Sequence, residues 1–139
     1  MTDPAKPLGP LDPQVVAHLN SNLGPAQPFL LRIRGGLAIK VDAWVIGRAD
    51  MINGNRGTTV EIRITPAGSL LTTHHSWSKD PESRRSDKVE GQAHATAADA
   101  LQWLLANGKG ELATTSKLAW MAACGTCPPM AGLDVQPIA

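Results

Sequence analysis

The stretch Thr58-Thr59-Val60-Glu61-Ile62-Arg63-Ile64-Thr65 decides the fold. Val60, Ile62 and Ile64 alternate with Glu61 and Arg63, the two-residue period of a strand with one buried and one solvated face. Its flanks are turn-rich. Asn53-Gly54-Asn55-Arg56-Gly57 reads as a loop before it and Pro66-Ala67-Gly68 as a turn after it. Such punctuation predicts antiparallel neighbours joined by hairpins.

Upstream, Leu37, Ile39, Val41, Ala43 and Val45 alternate with Lys40, Asp42 and Arg48. This is a second strand, on which Trp44 and Ile46 fall on the polar side. Gly35-Gly36 marks the turn before it. In the strand before that turn, Phe29, Leu31 and Ile33 alternate with Leu30, Arg32 and Arg34. Earlier still, Asp12 suits an N-cap and Pro13 the first helical position, Leu11 can staple onto Val16, and Gly24-Pro25 stops the run. A helix over residues 13–23 follows, preceded by a tail (1–12) with prolines at 4, 7 and 10.

Downstream, Leu70 to Ser78 reads as the returning strand of a hairpin and carries His74, His75 and Trp77. Residues 79–90 hold four basic and four acidic side chains, the composition of a solvated loop. A strand from Val89 to Ala95 follows. Thr96 with Asp99 starts a helix over 97–107, with Leu101, Leu104 and Leu105 toward the sheet. A third helix starts near Thr115 or Ser116, presents Leu118, Met121 and Ala122 on one face, and ends near Cys124-Gly125; the remainder, 128–139, is irregular. Strands followed by a run of helices predict an α+β domain over 13–127: an antiparallel meander of four to five strands, a short N-terminal helix, and two C-terminal helices packed on one face.

A chain of 139 residues with formal charge +1 has the size of one domain and no global field for nucleic acid or membrane. The longest apolar run falls short of the roughly 20 residues needed to span a bilayer, and no signal-peptide core opens the chain. A cytoplasmic protein without a membrane partner is expected. Two cysteines are too few for a disulfide framework.

Four places carry possible chemistry. Cys124-Gly125-Thr126-Cys127-Pro128 has the C-x-x-C spacing of redox and zinc sites. Its first cysteine falls at a helix C-terminus, where the dipole disfavours the thiolate that redox work needs. Zinc requires two further ligands, and His74 and His75 point to opposite faces of a strand, so His94 or a second subunit must complete the set. Two ordinary thiols, without metal or cofactor, are the expectation. Asp50 with Glu61 and Arg63 resembles the acidic pair and basic residue of metal-dependent nucleases, with Arg where those sites usually carry Lys. Alternating charge on a solvated strand face accounts for the same residues.

The sheet's outward face is locally basic. Residues 29–79 hold seven basic and three acidic side chains, and Arg32, Arg34, Lys40, Arg48 and Arg63 lie near Trp44. Cations interleaved with an indole suit single-stranded nucleic acid, the charges tracking phosphates and the ring stacking a base. Trp103 and Trp120 lie off the apolar faces of their helices and are candidate contacts for a protein partner. No Ser-His-Asp arrangement, phosphate-binding glycine loop or H-E-x-x-H motif occurs. In outline the layout resembles small accessory proteins of bacterial mobile elements, without a motif that names a family. The expectation is a non-enzymatic accessory or inhibitor protein that binds a macromolecule through protein contact or the basic sheet face. Single-stranded nucleic-acid binding and metal-dependent nuclease activity are the alternatives.

Overall fold

In the computed structural model, which describes residues 10–32, 38–80, 82, 88–107 and 111–127, the elements run α1 (Pro13–Leu23), β1 (Gln27–Arg32), β2 (Ala38–Asn53), β3 (Arg56–Ile64), β4 (Leu70–Ser78), β5 (Lys88–His94), α2 (Ala97–Asn107) and α3 (Glu111–Thr126). The strands form one antiparallel sheet in the order β1-β2-β3-β4-β5. The α+β meander read from the alternation is therefore the observed architecture. Most of the proline-bearing tail, the Gly35-Gly36 turn, most of the charged loop and the segment 128–139 lie outside the described residues.

The local signals act as written. The Asp12 carboxylate accepts from the backbone N–H of Gln14, and Gly24 closes α1 at φ 80°. Leu11 is buried beside Val16 in one cluster, and its N–H donates to the Pro66 carbonyl, which ties the start of α1 to the β3–β4 turn. The Thr96 hydroxyl accepts from the Asp99 N–H at the start of α2. The β2–β3 connection is tighter than the sequence suggests: Asn53 pairs with Arg56, leaving Gly54 and Asn55 as the turn.

β2 determines how the sheet is shaped. Its first part, Ala38 to Ala43, pairs with β1, and its second, Trp44 to Asn53, pairs with β3. A bulge separates Val45, opposite Arg63, from Gly47, opposite Ile62. The extra residue reverses the alternation. Trp44 before the bulge and Gly47, Ala49 and Met51 after it share the face of Val60, Ile62 and Ile64, and Ile46 is buried with them. The reading that placed Trp44 and Ile46 on the polar side is corrected: Trp44 is 4% exposed and Ile46 3%. Simple parity cannot see a bulge, nor that helices cover this side.

All three helices contribute to that cluster, through Leu19 of α1, Ala97, Ala100 and Leu104 of α2, and Ala119, Trp120 and Ala123 of α3. Here α3 reaches the strand backbone. A side-chain carbon built on Gly47 would meet the Ala119 carbonyl oxygen and lie 2.9 Å from both the Cβ and the backbone nitrogen of Ala123. Only glycine permits that approach. It also sets the rotation of α3, which buries Thr115, Ser116, Ala119, Trp120 and Ala123, with Cys127 buried just past its end. Leu118, Met121 and Ala122, the face expected to pack, point outward instead. Leu105 of α2, also expected to pack, is exposed.

On the other face, the β1–β2 hairpin bends over one end of the sheet. Leu31 and Ala43 are buried with Leu71, and Phe29, Val41 and Ala93 pack around them. Gly91 of β5 lies under the Leu31 side chain, so the sheet is curled and β1 meets β5.

Gly47→Val is expected to lower unfolding stability by about 1–3 kcal/mol through overpacking against α3. Gly125→Ala, at a position with open space around it, should leave stability unchanged or raise it by up to about 1 kcal/mol. Urea denaturation of the two variants checks the pair.

Candidate functional site

Cross-strand register brings one group of the candidate residues together. Arg48 pairs with Glu61, Asp50 with Thr59 and Val45 with Arg63, all on the face opposite the helices. A chain of polar contacts crosses this face. The Trp77 indole N–H donates to the Thr59 hydroxyl (3.0 Å), which donates to Asp50 (2.6 Å). Arg48 bridges Asp50 at 3.5 Å and Glu61 at 3.9 Å, and Arg63 bonds Glu61 at 3.3 Å. The Arg63 guanidinium also lies 3.7 Å above the Phe29 ring. Burial lowers the Arg63 pKa, while Glu61 opposes that shift.

These four charges sum to zero, so this part of the sheet is not a basic surface. Asp50 and Glu61 face guanidinium groups, which hold the lone pairs that a nuclease would offer to metal. Arg32 and Lys40 are exposed on the outer side of the β1–β2 hairpin, the side that faces away from Phe29 and Leu31. They belong to a different surface from Arg48 and Arg63. Arg34 lies outside the described residues. Trp44 cannot stack a base: its ring is buried under the helices and its N–H donates to the Gly24 carbonyl at 2.9 Å. Trp77, half-buried over Gly57, is the indole that does share a face with Arg48, Asp50 and Glu61. Counting the hairpin register from Glu61↔Thr73 to Gly57↔Trp77 would have located it.

Between the sheet and the helices lies a second polar group. His74 is buried, and its ring centroid is 4.6 Å from that of Trp103; His94 is 5.9 Å from the same indole. His94 Nε2 shares a 2.8 Å hydrogen bond with the Thr72 hydroxyl, and His74 Nε2 lies 3.4 Å from Ser116 Oγ. Trp103 thus packs on imidazoles and lines a cleft of about 390 Å³ with Gln92, Asp99 and Asn107. Trp120 is fully buried and has no surface for a partner. Cys127 is buried in the core cluster, and partly buried Cys124 packs against that cluster. The His18 Nε2–H donates to the Thr126 carbonyl nearby. Among the described residues, no three histidine, cysteine or carboxylate side chains converge as a metal site.

One surface was missed because the sequence assigned it to the core. Leu118 and Met121 are 48% and 58% exposed, and Ala122 and Gly125 complete an i, i+3, i+4, i+7 stripe on the outside of α3. The opposite side of the same helix is buried. Among the described residues no helix is long and apolar enough to cross a membrane. Comparison with models of protein families, with curated proteins and with solved structures finds no match.

Burial holds the His74 pKa down at about 4, against a weaker upward pull from Glu90. His94 is lowered for the same reason, with Asp99 opposing. Unfolded imidazole takes its proton near 6.5, so below that pH the unfolded chain binds more protons than the folded one. Stability should be full above about pH 6.5 and fall as the pH drops toward about 4, with His74→Gln flattening the slope in urea midpoints measured across that range. Trp120→Ala should cost about 3–5 kcal/mol in the same assay.

Proposed function

We propose that the protein is a non-enzymatic accessory or inhibitor protein that binds a protein partner on the outer face of α3. One observation carries this reading: α3 is apolar on both sides, and the domain uses only one. Large apolar side chains grouped on a solvent-facing stripe of a helix mark a contact surface. Here Ala119, Trp120 and Ala123 are buried, while Leu118 and Met121 face solvent beside small Ala122 and Gly125. Small residues next to large apolar ones allow a second helix or strand to approach closely. Apolar side chains at the centre of such a patch supply most of the contact energy, with Lys117 and Thr114 as polar rim. A cytoplasmic setting fits a chain with only two cysteines, too few for a disulfide framework.

Single-stranded nucleic acid remains the second reading, supported by exposed Arg32 and Lys40 on the β1–β2 hairpin. It rests on charge alone, because Trp44 is buried.

Affinity capture from the native cell with wild-type, Leu118→Glu and Met121→Glu baits separates the two. Both substitutions are at exposed sites and should change fold stability by no more than about 0.5 kcal/mol. A protein retained by wild type and reduced at least about tenfold by either variant supports the reading, a loss of roughly 1.4 kcal/mol in affinity. Retention unaffected by both variants but abolished by high salt and by Arg32→Ala/Lys40→Ala would replace it with the nucleic-acid reading.

A further inference from the structure

A cleft of about 390 Å³ separates the edge strand β5 from α2. Register and helical spacing fix what faces it. Gln92 and His94 project from the helix side of β5, because they pair with Thr72 and Leu70. Across from them, Asp99, Gln102, Trp103, Ala106 and Asn107 stand at i, i+3, i+4, i+7 and i+8, one face of α2. The cleft therefore gathers three primary amides, one carboxylate and an indole. Trp103 rests on His74 and His94 and leaves part of its surface to the cleft. Among the described residues, no hydrogen bond engages the side chains of Gln92 and Gln102 or the Asp99 carboxylate, which leaves their polar atoms open to a ligand. Asn107 donates through Nδ2 to the Trp103 carbonyl and keeps its Oδ1 as an acceptor.

We infer that this cleft binds an uncharged saccharide, with a pyranose ring against the Trp103 indole and its hydroxyls bonded to Gln92, Asp99, Gln102 and Asn107. The inventory of donors and acceptors selects that chemistry. A primary amide both donates and accepts, and a carboxylate only accepts, so the matching ligand must give and receive hydrogen bonds at several points. Vicinal hydroxyls do so. A pyranose also has an apolar C–H face, whose slight positive charge complements the negative face of an indole. Charge argues against the competitors. No described residue of the lining is cationic at neutral pH, since burial lowers the His94 pKa, and Asp99 repels the phosphate of a nucleotide. An ammonium ligand would satisfy Asp99 and the indole but leave the amide donors unmatched. The volume lies at the lower end of the range of small-molecule sites, enough for one or two sugar rings. This site is separate from the outer face of α3 and does not depend on it.

Amide NMR of the full chain tests the assignment with the methyl pyranosides of glucose, galactose, mannose and N-acetylglucosamine as probes, and with adenosine and choline as rival ligands. At least one pyranoside should shift the resonances of Gln92, Gln102 and Trp103, the indole N–H included, and saturate in the millimolar range. Gln102→Ala, at an exposed position on α2, should weaken that binding about three- to tenfold while the melting temperature holds, the loss expected for one hydrogen bond. Trp103→Ala should abolish it. That variant also loses packing against His74 and His94, so Gln102→Ala carries the test if it unfolds. The inference is overturned if none of the four pyranosides shifts these residues, if Gln102→Ala binds as wild type does, or if adenosine or choline shifts the same residues at lower concentration than every pyranoside.

Discussion

The contact between α3 and the backbone of β2 at Gly47 organises the molecule. An alanine-faced helix pressed onto a glycine at a bulge brings two main chains together with little between them. Dispersion contacts at such a seam are individually weak and collectively large, and they require that no side chain intrude. The bulge is part of the same device. It places Trp44 and Gly47 on one face despite their odd separation, so the indole fills space beside the seam and the glycine forms it. The rotation of α3 follows, and with it the outward display of Leu118 and Met121.

With the helices on one face, the other face of the sheet is divided. Its one end is closed by the hairpin through Phe29, Leu31 and Val41. The remainder carries a linked row of Trp77, Thr59, Asp50, Arg48, Glu61 and Arg63. Opposed charges on neighbouring strands keep an uncovered sheet face solvated and fix its register. The local excess of cations along residues 29–79 is thereby split, part neutralised on this face and part displayed on the hairpin's outer side. Arg63 stands at the boundary between hairpin and open sheet, where one side of its guanidinium has a partner and the other does not.

Element order and type were legible because the signals are local. Alternation at Val60, Ile62 and Ile64, the Asp12-Pro13 start, and the Thr96 cap each act within a few residues. Pairing of Asp50, Glu61 and Arg63 was also within reach, since a tight hairpin between β2 and β3 puts them on one face. The fates of Trp44, Trp103 and Trp120 were not. An indole reads alike whether it lies on a strand under the helices, as Trp44 does, on the buried side of a helix, as Trp120 does, or against imidazoles, as Trp103 does.

The sequence by itself determined the strands, the helices, their antiparallel order and the balance of charge, because periodicity, capping and turn chemistry are properties of neighbouring residues. Tertiary structure alone decided which of two apolar faces of α3 is buried, that Trp44 lies inside, and that Trp103 lies between buried imidazoles and a polar cleft. Each depends on a close approach between segments distant in the chain, at Gly47 against Ala119 and Ala123 and at Trp103 against His74 and His94. Packing of that kind is set by the shape of the partner surface, which local pattern does not encode.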